Sequence, residues 1–242
     1  MKGAIVILVG VMAAAPLAAQ DRAAANAAIP RYSAAATYGE AAAAADPASV
    51  AALVTGEGGA PQSAWACVSC HGTAGQGTQT VPRLAGLPAG YITKQLHDYR
   101  NGTRINGTMQ YVVSTLDDAQ MAALGAYYAA LDAPPTAEPS LGGDLERGRA
   151  LALRGDWGVE LPSCFSCHGA LGWGVEDMFP AIAGQHPAYI HAQLAAWKTG
   201  ARANSPLGLM QSVAAAMSPR DMRAVSDYLA TLPPPQPRYR EQ

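Results

Sequence analysis

CVSCH, residues 67 to 71, and CFSCH, residues 164 to 168, decide how this chain folds. Its four cysteines are Cys67, Cys70, Cys164 and Cys167, so every thiol lies inside one of the two pentapeptides and none remains for a structural disulfide. Shifting the sequence against itself by 97 to 101 positions superimposes the pentapeptides and then a long tail behind each. PRLAGLPAGYITKQLHDYRNGTR from Pro82 falls on PAIAGQHPAYIHAQLAAWKTGAR from Pro180, and after a three-residue length difference MQYVVSTLDDAQMAALGAYYAAL from Met109 falls on MQSVAAAMSPRDMRAVSDYLATL from Met210. This is a diverged internal duplication. The 242 residues therefore divide into two small domains.

The expected domains are 46–132 and 144–232, joined by a linker, 133–143, within the Pro- and Gly-rich stretch DAPPTAEPSLGGD. Residues 20–45 form an Ala-rich extension with no counterpart in the second repeat. Alanine favours helix but buries little, so the extension reads as a weakly docked helix or a flexible arm. Residues 233–242 are a Pro-rich, charged tail.

The first 19 residues carry one basic residue, Lys2, an apolar run from Ala4 to about Ala15 and small residues up to Ala19. That is the pattern of a secretory signal peptide, and the run is short for a bilayer crossing. The expectation is a periplasmic protein, soluble or loosely membrane-associated, with an uncleaved anchor as the alternative. The formal net charge of −2 gives no reason to expect a nucleic-acid partner. The charge is uneven: residues 20–140 carry six basic and nine acidic side chains, and residues 141–242 carry nine of each.

Each repeat reads as helical. Asp144 caps a segment Leu145–Leu153 that stops near Gly155, and Asp46 with Pro47 starts a similar one ending near Gly56. Tyr91, Gln95, Leu96 and Tyr99 fall at helical spacing before Gly102, as do Tyr189, Gln193, Leu194 and Trp197 before Gly200. Asp117 and the box SPRD, residues 218 to 221, open the last helix of each copy. No run alternates at period two, so the fold class is all-α, two small helical bundles in tandem. With only two Phe in the chain, bundles of this size need something else to pack around.

A structural zinc site takes four ligands within one module, whereas these Cys pairs stand 97 residues apart, each with an adjacent His that a zinc ribbon does not use. A redox dithiol sits after a strand in a βαβ unit, and no such strand is present. Cys-x-x-Cys-His is the attachment signature of c-type haem, in which two thiols add to the porphyrin vinyl groups and the His binds iron. The cofactors expected are two covalently bound haem c groups, on Cys67 and Cys70 and on Cys164 and Cys167, with His71 and His168 on the irons. Haem also fills the packing shortfall.

Pro82 follows His71 by 11 residues and Pro180 follows His168 by 12. Each proline has two readings: its carbonyl accepts the second ring N–H of the His and orients it, or it merely forms the loop. The candidates for the sixth ligand are Met109, Met121, His97, Met210, Met217, Met222, His186 and His191. Met109 matches Met210 and Met121 matches Met222, while the three His have no His at the equivalent position. Met121 and Met222 lie within the last helices among apolar neighbours and read as core. Met109 and Met210 precede those helices in loop-like context, which leaves the iron pairs His71 with Met109 and His168 with Met210. A thioether ligand is soft and favours ferrous iron.

The sequence resembles the di-haem cytochrome c4 family, two class I cytochrome c domains in tandem. The resemblance rests on C-x-x-C-H, P-x-x-A-G, the Y-x-x-x-Q-L helix with G-x-R and the Met, each present twice between Ser63 and Leu232. It implies two small all-α folds each wrapped on one haem, haems facing a domain interface, and Pro82 and Pro180 as the acceptors that orient the proximal His. The chain departs from the family in the 20–45 extension and in GDWGVELPS, residues 155 to 163.

The resemblance implies a carrier of single electrons, without catalytic residues, between a donor dehydrogenase or membrane cytochrome complex and an acceptor such as a terminal oxidase. A monomer or weak dimer is expected. The alternative is the cytochrome subunit of a flavin- or molybdenum-dependent oxidoreductase. The di-haem thiosulfate dehydrogenase pattern, with a Cys thiolate on one iron, needs a fifth Cys that is absent.

Overall fold

The computed structural model describes residues 30–57 and 65–235; the expected signal peptide, 1–19, the first part of the extension, 20–29, and residues 236–242 of the tail lie outside the described residues. Eleven α-helices account for most of the described chain. Among the described residues there is no sheet, only three isolated β-bridges. The first unit contains α1 (Pro30–Ala44), α2 (Ala51–Thr55), α3 (Val68–His71), α4 (Ala89–Arg100), α5 (Gly107–Ser114) and α6 (Asp118–Ala130). The second contains α7 (Leu145–Arg154), α8 (Phe165–His168), α9 (Pro187–Thr199), α10 (Leu209–Ala216) and α11 (Pro219–Ala230).

Capping chemistry sets the helix starts. The Asp144 carboxylate accepts from the Arg147 amide at 3.0 Å. Asp117 with Gln120 and Ser218 with Asp221 close reciprocal capping boxes at α6 and α11. The segment after Asp46 differs from a single helix: Pro47–Val50 is a 3-10 turn that runs into α2. Asp46 takes the Ala48 amide at 2.9 Å while the Ser49 hydroxyl donates to the Asp46 carbonyl, which tightens that first turn.

Each unit has its own apolar core. Val50, Val54, Leu96, Met121, Leu124 and Tyr128 fill the first, and Leu151, Leu194, Met222, Val225 and Leu229 the second. In the second unit α7 crosses α11 at Gly148, where a Cβ would run into the Ala224 backbone. From Pro30 onward the extension takes the docked-helix form: α1 packs against α4, Ala42 is buried, and the Tyr38 ring stacks on His97 at 4.6 Å. Its small side chains bury little area but let the helix backbones approach closely.

The two units meet across a pseudo-twofold arrangement. Arg104 and Arg202 form an antiparallel bridge, with Ile105 N–H donating to the Ala201 carbonyl and Ala203 N–H to the Thr103 carbonyl. Arg104 donates to Gln95 of its own unit and to Tyr189 and Gln193 of the other. Arg202 donates to its own Gln193 and to Tyr91 and Gln95 across the boundary.

Between the units the chain is tied at both ends. Arg83 donates to the Ala133 and Pro134 carbonyls at 2.7 and 2.9 Å. Asp227, 1% exposed, accepts the amides of Ser140, Leu141 and Gly143 at 2.9, 3.0 and 2.7 Å. Replacing Asp227 by Ala leaves three amides without their acceptor, so Asp227→Ala should lower stability by about 3 kcal/mol, read as a lower denaturant midpoint at unchanged slope.

Candidate cofactor sites

Each pentapeptide is one turn of helix. Cys67 stands at the start of α3 and Cys164 at the start of α8, and the amides of His71 and His168 donate to their carbonyls, both at 2.9 Å. The loops that follow repeat one framework. Gly77 and Gly174 return their amides to the His71 and His168 carbonyls, and Leu84 and Ile182 donate to Gly75 and Gly172.

That framework carries Pro82 and Pro180 to the histidines. His71 Nδ1–H donates to the Pro82 carbonyl at 3.0 Å and His168 Nδ1–H to the Pro180 carbonyl at 2.7 Å. A carbonyl can only accept, which fixes the proton on Nδ1 and leaves the Nε2 lone pair free. Both rings are buried to 8% exposure. Burial lowers the pKa of each below the usual histidine value, against the opposing pull of the proline carbonyl. A neutral, oriented imidazole with a free Nε2 is the form that binds a metal.

The first thiol of each pair argues against a redox dithiol. Burial pushes the Cys67 thiol up and the Cys164 thiol up to about 11. The nucleophile of a redox dithiol needs the opposite shift. Among the described residues no three His, Cys, Asp or Glu side chains cluster as a metal site would require.

Cys67 and Met109 both border the first core, and Cys164 and Met210 both border the second. Met121 and Met222 are 0% and 4% exposed, inside those cores. Met109 and Met210 are not in open loop. Each sits in the first turn of its own short helix, α5 or α10, where the Met109 amide donates to Asn106 Oδ1 and the Met210 amide to Ser205 Oγ. Of the other candidates, His97 stacks on Tyr38 and bonds Arg100, and His186 Nε2 bonds the Gln76 carbonyl.

The polar residues between the units suit haem. Arg104 and Arg202 are 4% and 3% exposed, and among the described residues their bonds go to amides and phenols with no carboxylate in ion-pair range. They also lie over the Tyr99 and Trp197 rings at 4.6 and 4.0 Å. Buried Trp197 Nε1 has no partner. Two buried cations and an idle donor want an acidic group, and haem brings two propionates. Sequence reasoning finds G-x-R in both copies but no role for its Arg; the available signal is a charge repeated at one position in two apolar helical repeats.

Two helical units, each with a Cys pair and an oriented His on one turn, define a tandem module for covalently held haem. The chain belongs to the cytochrome c family, whose family model matches residues 57–132 and 146–233. It is a di-haem c-type cytochrome, an electron carrier rather than a catalyst, with two covalent haem c groups. It is 43% identical over 179 residues to a thiosulfate dehydrogenase electron acceptor of Thiomonas intermedia, covering 72% of this chain and 82% of that one. It is 34% identical over 170 residues to cytochrome c4 of Pseudomonas aeruginosa, covering 69% and 83%. Among solved structures, a thiosulfate dehydrogenase from Marichromatium purpuratum in its as-isolated form superposes with a TM-score of 0.71 at 38% identity over 75% of this chain. This chain spans only 39% of that protein. Reduced cytochrome c4 from Pseudomonas stutzeri superposes at 0.64 with 29% identity, over 77% of this chain and 96% of that one.

Proposed function

We propose that this cytochrome works in the periplasm and takes its electrons from a thiosulfate dehydrogenase, passing them to a downstream acceptor such as a terminal oxidase. In this reading Cys67, Cys70, Cys164 and Cys167 are the thioether anchors. His71 with Met109 and His168 with Met210 hold the irons, and Pro82 and Pro180 orient the histidines. The carrying observation is the repeated His–proline hydrogen bond behind each Cys-x-x-Cys-His turn, because it presents a free Nε2 at the same place in both halves. Haem supplies the one-electron couple; the chain supplies ligands, orientation and a dry surround.

The donor assignment is supported by relatives described as electron acceptors of thiosulfate dehydrogenase in two organisms, at 43% and 44% identity, above the 34% for cytochrome c4 of P. aeruginosa. The matched part of the M. purpuratum protein is a minority of its chain, which agrees with a carrier that works beside an enzyme. A permanently docked subunit of an oxidoreductase is the second reading, and the partial match is equally compatible with it.

Mixing the oxidised protein with a purified thiosulfate dehydrogenase and thiosulfate should reduce both haems within the dead time or within seconds. Reduction no faster than by thiosulfate alone would remove the donor assignment while leaving the carrier intact. The rate should fall with added salt if the acidic first unit guides docking, because exposed charges are screened over about 10 Å at 0.1 M salt.

A further inference from the structure

The His-to-Pro loop is one residue longer in the second repeat, and that residue has a destination. In the first repeat the turn closes tightly, with Thr78 N–H donating to the Val81 carbonyl. In the second, Val175 and Phe179 pair through both backbone bonds, at 2.8 and 3.2 Å, around a wider tip of Glu176, Asp177 and Met178. Glu176 takes a left-handed φ of 47°, a conformation that a non-glycine residue adopts at a cost.

The tip reaches into the other unit. Asp177 Oδ1 accepts the Gly90 amide at 2.7 Å, in the first turn of α4, where the preceding Pro88 has no side chain able to cap. The carboxylate lies in a slot made by two glycines. A Cβ at Gly39 of α1 would collide with Asp177 Oδ2, and a Cβ at Gly90 would stand 2.5 Å from Asp177 Cγ and 2.7 Å from the Gly39 Cα. Three separate pieces of chain thus close on one carboxylate: the N-terminal extension, α4 of the first unit, and the loop of the second.

The same loop ends on the histidine. Phe179 sets its ring edge-on to His168 at 6.1 Å, and the next residue is Pro180, whose carbonyl takes His168 Nδ1–H. The first repeat carries no acidic residue between His71 and Pro82, and its loop is tied across the boundary by a different contact, His186 Nε2 to the Gln76 carbonyl, which does not involve the extension.

We propose that Asp177 is a positioning residue: through its seat between Gly39 and Gly90 it holds the Val175–Pro180 loop, and with it the orientation of His168, in register with the first domain and the N-terminal extension. The extension thereby acts on the second haem and not the first. The effect on His168 rests on its reading as an iron ligand; the seat itself does not.

The test uses the full di-haem protein and four variants, Asp177→Ala, Asp177→Asn, Gly39→Ala and the double variant Gly39→Ala with Asp177→Ala. Amide exchange at Gly90 reports the seat, and a two-step redox titration reports the haems. Asp177→Ala should speed Gly90 exchange at least about tenfold, the loss expected when a cap bond goes. It should also move one of the two redox steps and leave the other in place. Asp177→Asn keeps an accepting oxygen and should match the parent in both readings. Gly39→Ala, a better helix former, should nevertheless reproduce Asp177→Ala by displacing the carboxylate. In the double variant the added methyl finds the space vacated, so it should be no worse than Asp177→Ala alone.

Unchanged Gly90 exchange in Asp177→Ala, or a double variant worse than either single one, would overturn the seat. Faster exchange with neither redox step moved, or with both moved alike, would overturn the positioning role. A separate His168→Ala variant that kept both redox steps unchanged would fault the ligand reading, and with it the effect on His168, while Gly90 exchange still judged the seat.

Discussion

Changing Cys164 and Cys167 together to Ser should halve the covalently bound haem and unfold the second domain while the first keeps its spectrum. The expectation follows from how little else holds that domain. Among the described residues its main core cluster is built chiefly of Leu and Met, and its one Phe on the haem turn, Phe165, is only partly buried. A domain of this size has a net stability of about 5 to 10 kcal/mol, and the loss of its largest apolar group removes all of it. Pyridine haemochrome absorbance per chain measures the first effect. Helix content by circular dichroism, falling by roughly the contribution of α7 to α11, measures the second. A serine variant that kept full helix content without its haem would show that the side-chain core suffices. The equivalent change at Cys67 and Cys70 should be milder in folding terms, because α1 adds a packed helix to that domain.

The fold class and the haem cofactor are legible in the pentapeptides because covalent attachment demands fixed residue types at fixed spacing. Repetition supplies most of the rest: it pairs helices, caps and methionines across the copies. What sequence leaves hidden has a common physical cause. Contacts made once in the molecule have no counterpart in the other copy to reveal them, unlike the matched bonds of Arg104 and Arg202. Asp177 reaching Gly90, Arg83 holding Ala133 and Pro134, and Asp227 gathering three linker amides are all long-range bonds whose partners share no local pattern. The docking of the extension escapes composition for a related reason. Composition weighs the area a side chain buries, whereas α1 gains its place through close backbone approach at Gly39. Met109 and Met210 do precede the last helices, but the short helices α5 and α10 that carry them are only eight residues long, below what periodicity resolves.

Met210→Ala and Met222→Ala should separate ligand from core in opposite ways. Met222 is 4% exposed among Leu151, Val225 and Leu229, so truncating it opens a cavity and should cost about 2 to 5 kcal/mol with the haem spectrum unchanged. Met210 borders the same core but is only half-buried, so its truncation should cost about 1 kcal/mol or less in packing. Its spectroscopic effect should be large: the weak far-red band of thioether-ligated ferric haem disappears from one of the two haems, and that haem becomes high-spin or takes water. Losing a soft sixth ligand withdraws support from the ferrous state, so one reduction potential should fall by on the order of 0.1 V or more, within the roughly 0.8 V that axial ligation spans. Met109→Ala should do the same to the other haem, and Met121→Ala should behave like Met222→Ala, since Met121 is fully buried. If instead Met210→Ala kept both far-red bands and both potentials, the sixth ligand would lie elsewhere. His186 and His191 would then be next, and His186 would first have to give up its bond to the Gln76 carbonyl, which ties the start of α9 to the loop behind His71. That prior commitment is why the proposal places the methionines, whose thioether sulfurs are at most weak acceptors with little to surrender, on the irons.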